Sequence, residues 1–318
     1  MRVASLSLDL DDRWSYMKTR GDAGWTSFPT YLEVVVPRFL DILERFQLRI
    51  TVFVVGQDAA QTRHRAVLRS IAEAGHEIGN HSFHHEPWLH LYSLEQVERE
   101  IAMAEESIER ATGELTRGFR GPGYSFSPAV LETLAKRGYE YDASTFPTFL
   151  GPAARAYYFL TAKITPEQAG ERGLLFGSFR EGLRPLKPYY WEAGGRRLVE
   201  IPVTTMPGLR TPIHASYLLY LAAVSPALAM SYFRAALRLC AWTGVQPSLL
   251  LHPLDFLGLE DAPELEFFPA MRMPLESKLA MMSRILTTYS ARFRVVPLGE
   301  HAREFAGGPV VRDPVAAG

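Results

Sequence analysis

The stretch RITVFVVG, Arg49 to Gly56, is the one on which the fold turns. It is a nearly unbroken β-branched and aromatic run that ends on glycine. A strand wetted on one face alternates apolar and polar residues. A run without alternation is expected where helices cover both faces, as in a parallel sheet. The flanking sequence agrees. Upstream, YLEVVVPRFLDILERF (Tyr31 to Phe46) has helical spacing, with Pro37 placed to end or kink its first turn. Before it, VASLSLDL (Val3 to Leu10) alternates small or polar with apolar residues, as a strand does. Downstream, Asp58 to Ala74 is expected to be one helix stopped by Gly75, and HEIGNH a short strand.

The same rhythm continues. In SLEQVEREIAMAEESIERATG, Ser93 and Gln96 match a capping box, Leu94, Val97, Ile101, Ala104 and Ile108 form one stripe, and Gly113 stops the helix. RGFRGPGY is a strand ending in a turn. SPAVLETLAKRG is a helix with Ser127 as cap and Pro128 at its first position, and YEYDAST is the next strand. Alternation at this spacing implies a parallel sheet, open or closed into a barrel. The pattern weakens from about Phe149 to Trp242. There KPYYWEAGGRRLVEIPVT looks like a hairpin, and two apolar helical segments flank Pro226. It returns with the strand SLLLH (Ser248 to His252), a helix from Leu275 to Tyr289, the strand RFRVVPL and a short last helix. We expect a single domain over 1–306 with a large insertion at about 149–242. The tail 307–318, without pattern, is expected to be disordered.

Composition narrows the function. Of 318 residues, 34 are Lys or Arg and 35 Asp or Glu, a net charge of -1 that leaves no electrostatic footprint for nucleic acid. Cys240 is the only cysteine, so no internal disulfide can form. The start, MRVASLSLDLDD, is charged too early for a signal peptide. Pro226 interrupts the longest apolar run, so no segment reaches the roughly 18 residues of a membrane span. A cytoplasmic location is the expectation.

Ligands of parallel α/β folds bind at the carboxyl ends of strands. Several chemically capable groups fall there: Asp9, Asp11 and Asp12; His81 and His85 in NHSFHHEPW; Arg120 to Tyr124; Asp142; and His252. Strand alternation puts Asp9 and Asp11 on one face and Asp12 on the other. Two carboxylates on one face repel unless a cation or a shared proton relieves them. His81 and His85 have the spacing of one face of a helical turn. With Asp11 they make a two-histidine, one-carboxylate set with open positions, which suits a divalent metal. His84 is offset and reads as structural or as a support to the ligands. His64, His90 and His301 read as ordinary surface histidines.

In order and approximate spacing, DLDD, GNHSFHH, FRGPGY, YDAS and LLLH resemble the polysaccharide deacetylase family, the NodB-homology enzymes of carbohydrate esterase family four. The resemblance covers Val3 to Phe146 and, in outline, the His252 region. It implies an α/β fold, a distorted (β/α) barrel, here with its insertion between the fifth strand and the His252 strand. It implies that Asp11, His81 and His85 hold one divalent metal, zinc before cobalt, nickel or manganese. Asp9 would be the general base, Arg120 would orient it, and Asp142 would pair with Arg120. A backbone N–H near Tyr124 would stabilise the oxyanion, and His252 would be the general acid.

The chain departs from the family pattern in three places. Its aspartates are spaced, so Asp11 with Asp12 is an alternative base and ligand pair to Asp9 with Asp11. RGPGY leaves the oxyanion donor between Gly123 and Tyr124. Phe146 stands where a tryptophan is often found. Asp255 is placed either to tune His252 or to cap a turn.

The implied reaction removes an N-acyl group, acetyl first, from an amino sugar or lipid-linked sugar. Three alternatives stand beside it: an allantoinase-like amidase, a carbohydrate-binding relative without activity, and a non-haem iron oxygenase, against which the strand and helix alternation argues. Tyr157, Tyr158, Phe159, Tyr189, Tyr190 and Trp191 are candidates to stack on sugar rings. Arg180, Arg184 and Lys187 are candidates to meet a phosphate or carboxylate. The segment 217–242 is a candidate cover over the site or a peripheral membrane contact.

Overall fold

The computed structural model describes residues 1–153, 156, 179–305 and 307–311. Strand β1 (Arg2–Leu10) lies at its centre and pairs in parallel with β2 (Thr51–Val54). From β2 the sheet runs through β3 (Glu77–Asn80), β4 (Gly118–Phe119) and β5 (Tyr141–Asp142), all parallel. The hairpin β6 (Tyr189–Ala193) and β7 (Arg196–Glu200) turns at Gly194 and Gly195, both at positive φ, where glycine is strain-free. Strand β7 pairs with β5, while β8 (Ser248–Leu251) and β9 (Phe293–Val296) pair with β1. The sheet is open between β7 and β8, but two hydrogen bonds bridge the gap. Thr204 N donates to Ser248 O (3.0 Å) and Ser248 N to Thr204 Oγ1 (2.8 Å). The result is the expected distorted barrel.

Alternation in β1 sorts its side chains. Leu6, Leu8 and Leu10 face the helical layer and are fully buried in the main core. Ser5, Ser7 and Asp9 face the interior, where Arg120 reaches Ser7 and Asp9. Each fully buried leucine contributes roughly 1.5–3 kcal/mol, so a one-residue slip of this strand is strongly disfavoured.

The helices are α1 (Arg13–Arg20), α2 (Leu32–Arg45), α3 (Gly56–Ala59), α4 (Arg65–Glu73), α5 (Leu94–Thr112), α6 (Pro128–Arg137), α7 (Ala215–Val224), α8 (Pro226–Thr243), α9 (Leu275–Ser290) and α10 (Leu298–Glu304). Helix α5 carries the expected capping box, with Ser93 N donating to Gln96 Oε1 (2.8 Å) and Gln96 N to Ser93 Oγ (3.3 Å). Helix α2 runs through Pro37.

Several expectations are corrected. The helix read over Asp58 to Ala74 is broken: α3 ends at Ala59, a single turn spans Thr62–His64, and α4 follows. The break turns Asp58 and His64 inward, and His64, like His301, is buried rather than on the surface. Within 149–242, β7 is a barrel strand and Leu218, Leu219, Phe233 and Leu237 belong to the main core. The buried faces of α7 and α8 are thereby used internally, while Val224, Leu228 and Trp242 of the same segment stay exposed. Among the described residues no helix is long and apolar enough to cross a membrane. The tail regains pattern at Val310–Val311, which pair with Tyr190 and Trp191 because the edge of β6 offers open backbone groups. Residues 312–318, like Tyr157, Tyr158 and Phe159, lie outside the described residues.

Candidate active site

The loop after β3 carries His81 and His85. Asn80 Oδ1 accepts from Ser82 N (2.8 Å), and Ser82 Oγ accepts from His85 N (3.2 Å). Ser82 and His85 both sit at positive φ, a strained conformation for non-glycine residues that the surrounding bonds hold in place. Glu100 of α5 clamps the tip. Its Oε1 accepts from Phe83 N (3.0 Å) and His84 N (2.6 Å), and its Oε2 meets His84 Nδ1 (2.7 Å). His84 therefore supports the loop. Burial alone would raise the Glu100 carboxyl, but the His84 ring and these N–H groups hold it below its ordinary value.

That clamp presents His81 and His85 to the end of β1. His81 Nε2 lies 3.2 Å and His85 Nε2 2.9 Å from Asp11 Oδ1, with the two rings 5.1 Å apart. All three residues are buried, and their ligand-capable atoms lie within 4.8 Å of one another. His81 Nδ1 is 2.6 Å from Arg120 O, the outer contact that orients a metal-binding imidazole and frees its Nε2. Burial would push the Asp11 carboxyl up, yet the two imidazoles bring it well below its usual value. Two imidazole nitrogens and an anionic oxygen are a fitting donor set for a divalent ion.

Asp9 lies on the same face. Its Oδ1 accepts from Arg120 Nη1 (2.7 Å), whose guanidinium also donates to Ser7 Oγ (2.8 Å) and Ala143 O (2.9 Å) and sits 4.5 Å over the Phe53 ring. Arg120 is wholly buried. Asp12 points the other way and accepts from Arg13 N (2.8 Å) and Tyr31 N (3.0 Å). The geometry thus favours the Asp9 and Asp11 register over Asp11 and Asp12.

Two expected contacts are corrected. Asp142 does not pair with Arg120. Tyr141 and Ala143 share an interior cluster with Phe53, so alternation sends Asp142 to the opposite face. There it accepts from Ser144 Oγ (2.6 Å), and Ser144 Oγ in turn accepts from Gly121 N (2.8 Å). Asp142 thereby steadies the RGPGY turn from behind. Its register partner is Glu200, which accepts from Trp191 Nε1 (2.8 Å) and Thr145 Oγ1 (2.6 Å). Burial and the neighbouring Asp142 push Glu200 well above its ordinary value. The second correction concerns Tyr124, whose backbone N–H donates to Gly121 O (3.0 Å) and is committed within the turn. Gly121 is required there, since a Cβ would fall 1.8 Å from Ser125 O.

His252 ends β8. Its backbone N donates to Asp255 Oδ2 (2.8 Å), and its Nδ1 lies 3.1 Å from Ser216 Oγ, which donates to Asp255 Oδ1 (2.8 Å). Asp255 thus both caps the turn and holds the ring through Ser216. A row of rings leads from the RGPGY turn to His252: Tyr124 stacks on Phe146 (4.7 Å), Phe146 meets His214 (5.7 Å), and His214 meets His252 (5.5 Å). His214, Ser216, Glu100 and Glu200 were not foreseen; the one sequence signal for His214 was a histidine just before an apolar helix. Burial, then His252 and Arg120, hold the His214 imidazole well below its ordinary value.

The aromatic residues of the hairpin are not a sugar platform. Tyr189 and Trp191 are buried against Leu131 and Leu134 of α6, and Tyr190 packs on Phe305. Arg184 is paired with Glu181 and lies over the Phe126 ring.

Comparison with known proteins places these residues in context. Residues 18–141 match the polysaccharide deacetylase family model, a span that holds His81, His85 and Arg120 but begins after Asp11 and ends before Asp142. A peptidoglycan deacetylase of Helicobacter pylori is 31% identical over 112 residues, 35% of this chain and 37% of that protein. The peptidoglycan-N-acetylmuramic acid deacetylase PdaA of Bacillus subtilis is 32% identical over 108 residues, 33% of this chain and 39% of that one. A chitooligosaccharide deacetylase of Azorhizobium caulinodans is 32% identical over 105 residues, 33% and 49%. The chain spans less than half the length of these curated relatives.

Among solved structures, a Mycobacterium smegmatis protein assigned as a polysaccharide deacetylase superposes with a TM-score of 0.63, covering 98% of this chain and 94% of that one at 21% identity. Puue allantoinase gives 0.56, covering 95% and 89% at 15% identity. Both are likenesses of fold. Over residues 18–141, less than half of its length, the chain is similar to the polysaccharide deacetylase family.

Proposed function

We propose that the chain is a metal-dependent hydrolase that removes an N-acyl group, acetyl first, from an amino sugar or sugar conjugate. The observation that carries this reading is the convergence of Asp11, His81 and His85 beside the Asp9–Arg120 pair. The deacetylase relatives support a sugar substrate. Asp11, His81 and His85 would hold the divalent ion, which would supply Lewis acidity to the acyl carbonyl and acidify a water.

The chain's own residues do the rest. Asp9, oriented by Arg120, takes the proton of the attacking water. The RGPGY turn, steadied by Ser144 and Asp142, offers backbone N–H groups to the developing oxyanion, and with Tyr124 N–H occupied the role falls to Gly123. His252 holds its Nδ1 against Ser216 and presents Nε2 as the proton donor to the leaving amine. Phe146 and His214 line the passage between the turn and His252, a wall for a small acyl group.

The reading is tested by incubating purified protein with N-acetylated sugars, lipid-linked sugars and a cyclic amide, and measuring acetate release and ring opening. Acetate from a sugar supports it; ring opening alone would make the chain an amidase instead. His81→Ala is expected to lose the ion of this site, read by metal analysis, together with turnover. His252→Ala is expected to slow amide cleavage by about 10²–10⁴-fold and to leave an activated ester, whose leaving group needs little protonation, much less affected. Equal losses on both substrates would remove His252 from the acid role.

A further inference from the structure

We propose that Asp12, Asp58 and His64 form a second cation site, structural in role, behind the candidate active site. The three come from separate elements: the N-cap of α1 just after β1, helix α3, and the single turn before α4. Their ligand-capable atoms all lie within 4.8 Å of one another. Their exposures are 0%, 1% and 1%.

Each has one polar atom engaged and one left over. Asp12 Oδ1 accepts from Arg13 N and Tyr31 N, and Asp58 Oδ1 accepts from Trp14 Nε1 (2.7 Å). His64 Nδ1 lies 3.1 Å from Asp58 O. Asp12 Oδ2, Asp58 Oδ2 and His64 Nε2 are buried without a hydrogen-bond partner. Buried polar atoms are nearly always satisfied. Three buried side chains gathered at one place, each with a polar atom left over, point to a shared ligand.

Charge argues the same way. Two carboxylates are buried together. The guanidiniums whose fields reach the pair are engaged elsewhere, Arg13 with Glu264 (3.1 Å) and Arg63 with Phe28 O (2.7 Å). A divalent cation cancels both charges. A set of two carboxylates and one imidazole suits zinc, manganese or cobalt better than calcium, which takes six to eight oxygens.

The cation would tie the N-cap of α1 to α3 and the turn after it. It would also tie in Trp14, whose ring lies 6.5 Å from that of His85. Asp11, the candidate ligand one residue away, would be held by the same anchor.

The test uses the full-length chain stripped with chelator and titrated with Co²⁺. Two equivalents are expected to bind the wild type, one His81→Ala, and none His81→Ala combined with His64→Gln. In the His81→Ala background the remaining ion is expected to raise the thermal midpoint by about 5 °C, a gain absent once His64 is replaced. Should His64→Gln fail to fold, Asp58→Asn, which keeps an acceptor for Trp14, carries the same comparison. One equivalent in wild type and none in His81→Ala overturns the second site and leaves the first intact, the outcome if Asp12 and Asp58 share a proton instead. An ion that survives the double replacement also overturns it, since it binds elsewhere.

Discussion

Asp9→Asn is expected to lower kcat/KM by about three orders of magnitude while the chain stays folded and keeps its metal content. Asparagine has nearly the shape of aspartate and still offers Arg120 an acceptor oxygen, so the 2.7 Å contact can persist. What it lacks is basicity. The metal content is unaffected because the residues converging on one point are Asp11, His81 and His85, with Asp9 beside them. Initial rates on an N-acetyl sugar, together with metal analysis of the same preparation, read both halves of the expectation. Full turnover would remove Asp9 as the base, and a lost ion would make it a ligand.

Arg120→Met is expected to destabilise the fold by about 3–5 kcal/mol, measured by urea unfolding. The side chain is wholly buried, and three acceptors depend on it: Asp9 Oδ1, Ser7 Oγ and Ala143 O. Removing the guanidinium leaves the Asp9 charge inside the barrel without its partner. Most of the loss should therefore disappear in Arg120→Met combined with Asp9→Asn, because the double variant no longer strands a charge. A loss below about 1 kcal/mol in the single variant would mean that the pair is effectively solvated, and Arg120 could not then be what positions Asp9.

Much of the site was legible before any coordinates because it depends on local periods. A strand repeats every second residue, so Asp9 and Asp11 had to share a face and Asp12 had to leave it. The Ser93 capping box and the AGG turn are likewise short-range, and each stands as read, whereas His81 and His85 meet through an irregular loop with Ser82 and His85 at positive φ and not on the face of a helical turn. The barrel strands were legible for the same reason, from unbroken β-branched runs between helical stripes.

What failed depended on knowing which face was inside. Strand β5 is only two residues long, too short to display a period, so nothing local said that Tyr141 points inward and Asp142 outward. The pairing of Asp142 with Glu200 follows from β7 entering the barrel, across 58 residues of chain. The break between α3 and α4 was hidden because residues 58–74 have helical composition throughout. Only packing against Trp14 and the N-cap of α1 gives Asp58 and His64 a reason to turn inward. By itself the sequence determined the strand and helix rhythm, the shared face of Asp9 and Asp11, and the histidine pair that meets them. The tertiary structure decided which carboxylate answers Arg120, which amide of the turn is already used, and what surrounds Asp12, since those outcomes depend on contacts between segments far apart in the chain.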